Sequence, residues 1–200
     1  MSYTSYYETC DDGLATLQRS LVDLEDATTN QRGYSSDLIP GLLQTPAYAR
    51  AVISACISAL EVPDDTEDTV TARLHRQAVL DAPDHRFRLL FGEAALLRTV
   101  ASPLVMASQI RFLREILAAR PNVEIGIIPI NAEFVTPATY FVINNMVSVD
   151  IETVTGAVTA TSVEDIALAQ RSFDRLATQA AYGEDARTIL NRALATHTTN

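Results

Sequence analysis

Ser102-Pro-Leu-Val-Met-Ala-Ser-Gln-Ile-Arg-Phe-Leu-Arg-Glu-Ile-Leu-Ala-Ala-Arg-Pro-Asn-Val-Glu-Ile-Gly-Ile-Ile-Pro-Ile130 changes its hydrophobic period part-way along. Ser102 before Pro103 is an N-cap and first-turn pair: the hydroxyl accepts from an orphan backbone N–H, and proline has no N–H to leave unsatisfied. Met106, Ile110, Leu113 and Leu117 then form a helical stripe, widened by Leu104, Val105, Phe112 and Ile116. This spacing predicts a well-buried helix over about 103–118. Pro121-Asn122 ends it, and 123–130 is an apolar run but for Glu124, the mark of a buried strand. Just upstream, Phe87, Leu89 and Phe91 alternate with Arg86 and Arg88, a second strand over 86–91.

Strands also follow this core. Segments 139–143 and 147–151 flank Asn144-Asn145, and asparagine tolerates positive φ, so a tight hairpin is predicted, with a third strand over 154–160. Ser162 with Asp165 is a capping box opening a helix that turns Val163, Ile166, Ala167, Phe173, Leu176 and Ala177 inward. A last helix covers 184–194. Toward the N-terminus, Leu14, Leu17, Leu21 and Leu24 share a helical face, with Arg19, Asp23 and Asp26 opposite and Gly33 as the stop. Thr45-Pro46 caps a helix over 46–59, which Pro63-Asp64-Asp65 breaks. Another runs over 67–80 with Val70, Leu74, Gln77 and Ala78 inward, and 92–97 is a short helical turn. The expected architecture is α+β: one domain over 14–200, helices packed on a mixed, mainly antiparallel sheet. Residues 1–13, polar and rich in tyrosine (Tyr3, Tyr6, Tyr7), are expected to be a loose lead.

The 200 residues are 48% hydrophobic and 20% charged, which reads as a globular chain. Net charge −10 argues against non-specific binding to nucleic acid or anionic lipid, both polyanions. All 15 basic residues are arginine, a mark of GC-rich coding. Two cysteines, Cys10 and Cys56, suit free thiols in a reducing compartment. With neither a signal-peptide pattern nor an apolar run near 20 residues, a cytoplasmic location is expected.

Motifs for nucleotide, metallopeptidase or serine-hydrolase chemistry are missing from the sequence. His75, His85 and His197 lack neighbouring partner ligands and are read as structural or solvated, so neither metal nor cofactor is expected. Arg73 and Arg76 share a helix face, where they could grip one anion or sit exposed on acidic partners. Asp150 and Glu152 alternate with Val149 and Ile151 and are assigned to the solvent face of a sheet. Glu93, between a strand end and an apolar stretch, must find a partner such as Arg98 or shift its pKa upward. It is the candidate catalytic residue, and the expected ligand site gathers Glu93, Gln109, Arg76 and Tyr48. The alternative is that Glu93 only ties down the strand end. The segment 40–48 is expected to be a structural corner.

Ile39-Pro-Gly-Leu-Leu-Gln-Thr-Pro-Ala-Tyr-Ala-Arg50 resembles the hallmark of a domain of unknown function found C-terminal to the helix-turn-helix of WhiJ-like (XRE-type, antitoxin-like) actinobacterial regulators. The resemblance continues through Ala72-Arg-Leu-His-Arg-Gln77, Gly92-Glu-Ala-Ala-Leu96, Val105-Met-Ala-Ser-Gln109 with Leu113, Pro121-Asn-Val-Glu-Ile-Gly-Ile-Ile-Pro129 and Phe173-Asp-Arg-Leu176. It implies a regulatory role in development or secondary metabolism, beside a small acidic partner protein. No helix-turn-helix precedes Leu14, and the loop Asn131-Ala-Glu-Phe-Val-Thr-Pro137 lacks the family's usual glycine. The expectation is therefore a stand-alone effector domain that binds a small molecule or protein partner without touching DNA or membrane, with a homodimer left open. The alternative is a cofactor-independent isomerase or cyclase that reuses the effector pocket.

Overall fold

Polar and apolar strands share a single seven-stranded sheet in a computed structural model that describes residues 1–198. The strands are β1 (Ser2–Ser5), β2 (Asn30–Ser35), β3 (Arg86–Gly92), β4 (Val123–Ile128), β5 (Phe141–Asn144), β6 (Ser148–Glu152) and β7 (Gly156–Ala160). Their order is β1-β7-β6-β5-β2-β3-β4. The β2–β3 and β3–β4 pairs are parallel and the other pairs antiparallel, so the sheet is mixed and mainly antiparallel, as the sequence implied.

The helices are α1 (Tyr6–Thr9), α2 (Ala15–Ser20), α3 (Val22–Asp26), α4 (Pro46–Leu60), α5 (Thr66–Arg76), α6 (Ala94–Leu97), α7 (Pro103–Ala119), α8 (Val163–Gln179) and α9 (Gly183–Thr198). Three predicted caps form: Thr45, Ser102 and Ser162 accept from the backbone N–H of Tyr48, Val105 and Asp165. One core joins Phe87, Leu89 and Phe91 to the buried stripe of α7 and to Leu190 of α9. On the other face α8 sets Ile166, Phe173 and Leu176 against Leu90, Phe141 and Val149. Fully burying each such side chain contributes roughly 1.5–3 kcal/mol. Covered on both sides, β3 buries Leu90 as well as its alternating phenylalanines.

Several details depart from expectation. Gly33 does not stop a helix but sits inside β2, between Leu89 and Val142, while the helical stretch ends near Thr28, whose hydroxyl donates to the Leu24 carbonyl at 2.6 Å. Of residues 1–13, expected loose, Ser2–Ser5 enter the sheet and Tyr6–Thr9 form α1. β1 pairs with β7 so closely that a Cβ on Gly156 would lie 2.2 Å from the Thr4 carbonyl oxygen. The hairpin turns one residue later than read, with positive φ at Asn145 and Met146. The helix over 67–80 ends at Arg76 and continues as a 3-10 turn to Asp81. Val163 points outward, as a first-turn residue clear of the sheet.

Candidate functional site

The antiparallel half of the sheet is covered incompletely on the face opposite α8. There α2, α3 and the end of α5 stand off from β2, β5, β6 and β7 and enclose a cavity of about 310 Å³. Leu17, Leu21 and Leu24, predicted to face inward, line it instead of filling it, with Leu42, Leu89 and Val142. Thr4 and Tyr6 close the side nearest β1.

Its polar groups fall into two networks. In the roof Arg76 donates to both carboxylate oxygens of Glu25, with Nε at 2.8 Å. The pair is nearly buried, at 11% and 7% side-chain exposure. Gln18 Oε1 accepts from Arg76 Nη1 (2.6 Å) and from Arg73 Nε (3.2 Å), and Arg73 Nη1 reaches Gln44 Oε1 at 2.8 Å. Burial, and next the Arg76 charge, lower the pKa of Arg73. Neither arginine is the exposed surface charge weighed from sequence.

In the floor Asp150 accepts from Asn144 Nδ2 (2.7 Å) and Thr159 Oγ1 (2.6 Å), and Asn144 Oδ1 accepts from Gln31 Nε2 (3.3 Å). Asp150 and Glu152 do share a strand face; it lines the cavity, with Asp150 half-buried and Glu152 exposed as expected. Glu152 is an exposed residue at the cavity rim, but protein packed around its carboxyl desolvates that group. This desolvation raises its pKa above the usual carboxylate value, and Arg73 and Arg76 oppose the rise. The hydroxyls of Tyr6 and Tyr140 are likewise pushed up, chiefly by burial and next by Glu152.

Of the four expected ligand residues, only Arg76 lines this cavity. Glu93 is buried at 2% exposure and accepts from Arg192 Nη2 (2.5 Å) and the Ile130 N–H (3.0 Å). It therefore ties β3 to α9 and to the end of β4, while Arg98 pairs with Asp37. Gln109 accepts from the Thr45 N–H and donates to the Leu43 carbonyl, both at 2.7 Å. Tyr48 is buried, its hydroxyl accepting from the Ile39 N–H at 3.4 Å. Gln44 donates to the Ile39 carbonyl, and Gln77 to the Gln44 carbonyl. The 40–48 segment is thus a corner held by side chains from α4, α5 and α7, with Pro40, Gly41 and Leu42 forming one cavity edge. His85 is buried between Asp84 and the Asp26 carbonyl.

Sequence reasoning passed over Gln18, Glu25, Gln31, Tyr140 and Asn144, which carry no motif. The shared strand face of Asp150 and Glu152 and the shared helix face of Arg73 and Arg76 were the available signals.

The profile of a family described as "Domain of unknown function (DUF5753)" matches residues 18–192. The chain belongs to the DUF5753 family. Its matched span takes in both the corner and the cavity roof. A comparison with curated proteins gave no match. Among solved structures the chain is similar to one described as "Structure of TrmBL2, an archaeal chromatin protein, shows a novel mode of DNA binding", at 13% identity and a TM-score of 0.39. The match covers 84% of this chain and 49% of that one, so the chain spans about half the length of that protein.

Proposed function

We propose that this DUF5753 chain is an effector domain that binds a small molecule in the cavity over β2, β5, β6 and β7. The observation that carries the reading is the cavity itself: about 310 Å³, walled by leucines, with two ordered polar networks converging on it. Ligand sites are typically concave and mainly apolar with a few placed polar groups. The resemblance to WhiJ-like actinobacterial regulators supports a role in control of development or secondary metabolism. Net charge −10 supports action through a ligand or a partner protein without direct contact to DNA. The test is a fragment screen by protein-observed NMR, repeated on Ala157→Leu, which puts a larger side chain into the cavity from β7. Hits that shift cavity residues and vanish in the variant support the reading; hits untouched by it refute it.

A second reading rests on Glu152. A carboxyl held toward its neutral form beside a second carboxylate, Asp150, on the same strand face is equipped for acid–base work, as in a cofactor-independent isomerase or cyclase. It requires that Glu152→Gln abolish turnover while binding persists.

A further inference from the structure

We infer that the cavity selects an uncharged, amphipathic molecule whose polar head presents both a hydrogen-bond acceptor and a hydrogen-bond donor, as an amide or lactam does. The inference rests on the ligand-binding reading above and specifies the chemistry of that site.

The two networks fix the orientation of their amides. A guanidinium only donates, so the Gln18 atom shared by Arg73 and Arg76 is its oxygen. Gln18 Nε2 then takes part in none of the hydrogen bonds formed among the described residues, and Gln18, 7% exposed, lines the cavity. In the floor the carboxylate of Asp150 accepts, so Asn144 turns its nitrogen to it and its oxygen to Gln31 Nε2. That leaves Gln31 Oε1 outside the hydrogen bonds formed among the described residues, on a residue 5% exposed that also lines the cavity. The site thus offers a fixed donor from the roof and a fixed acceptor from the floor, each locked by charged groups behind it.

The charges themselves are spoken for. Arg76 is satisfied by Glu25 and Gln18, and Asp150 by Asn144 and Thr159. A charged ligand head would shed its hydration without gaining a free counter-ion, which is costly. Glu152 is the exception: it makes no hydrogen bond among the described residues, and desolvation of its carboxyl by the surrounding protein raises its pKa against the pull of Arg73 and Arg76. The apolar body of the ligand meets Leu17, Leu21, Leu24 and Leu42.

The experiment uses four probes on one scaffold, titrated by NMR at pH 7: phenylacetamide, N,N-dimethylphenylacetamide, phenylacetate and phenethylamine. Phenylacetamide is expected to bind roughly five- to tenfold more tightly than either charged probe. Gln31→Met should weaken phenylacetamide by a similar factor and leave the dimethylamide, which has no N–H to donate, unchanged. Gln18→Met should weaken both amides. If that variant fails to fold, the Gln31→Met comparison still decides, because a purely structural role for Gln31 would move both amides alike. Preference for phenethylamine would overturn the inference in favour of Glu152 as counter-ion, and preference for phenylacetate would overturn it in favour of the arginines. Equal binding of all four would also overturn it while leaving the cavity reading intact. If no probe bound, or if binding survived Ala157→Leu, the cavity reading itself would fail.

Discussion

Replacing Glu25 with Gln keeps the side chain's shape and removes one charge from the cavity roof. Arg76, at 11% side-chain exposure, is then left without its counter-ion and with Arg73 alongside. Removing one partner of a buried pair costs about 3–5 kcal/mol, because the orphaned charge stays desolvated. For a domain of this size each kcal/mol lowers Tm by about 2–4 °C, so the variant should melt roughly 6–20 °C below wild type. Glu67→Gln is the control, since Arg50 and Glu67 form an ion pair with side chains 46% and 70% exposed, and its loss should change little. Urea and thermal unfolding by circular dichroism measure both. Adding Arg76→Met to Glu25→Gln should recover part of the loss by removing the stranded guanidinium. If Glu25→Gln costs no more than Glu67→Gln, the roof is not a desolvated network, and its charges are available to a ligand.

Glu152→Gln should raise Tm at pH 7. A carboxyl whose folded pKa lies above its unfolded value of 4.5 favours the native state below that value and loses this contribution as pH rises through the folded pKa. The variant's advantage should accordingly vanish below about pH 4.5, and a difference that grew on acidification would reverse the sign of the reasoning. Glu93→Gln should cost about 2 kcal/mol in urea unfolding through its charge-assisted bonds to Arg192 and Ile130. Phenylacetamide affinity, corrected for the folded fraction, should stay at the wild-type value, and a selective loss of affinity would return Glu93 to the site. Thr45→Ala should cost about 1 kcal/mol by removing the cap of α4, read as a shift in urea midpoint at constant slope. An unchanged midpoint would mean that the Gln109 bond to the Thr45 N–H holds the corner alone.

Local chemistry was legible in the sequence wherever it is short-range. The Ser102, Thr45 and Ser162 caps, the stripe of α7 and the alternation in β3 need only neighbours within a few residues, and each forms as the periodicity implied. The corner at 40–48 was legible in part, from its proline, glycine and capping threonine, though Gln77 and Gln109 complete it from a distance. The central strand β2 was not legible. It reads Asn-Gln-Arg-Gly-Tyr-Ser, and nothing in that order marks a strand until β3 and β5 pair with its two edges. Alternation placed Asp150 and Glu152 on one face but could not say what lies across from it. Only the tertiary arrangement decided that, by holding α2, α3 and Arg76 over that face without filling the gap. Glu93 illustrates the converse: its partners Arg192 and Ile130 lie 99 and 37 residues away, so sequence proximity pointed to Arg98 and tertiary packing chose otherwise. Periodicity reports which side of an element turns inward, whereas the site depends on which inward sides meet and how much space they leave.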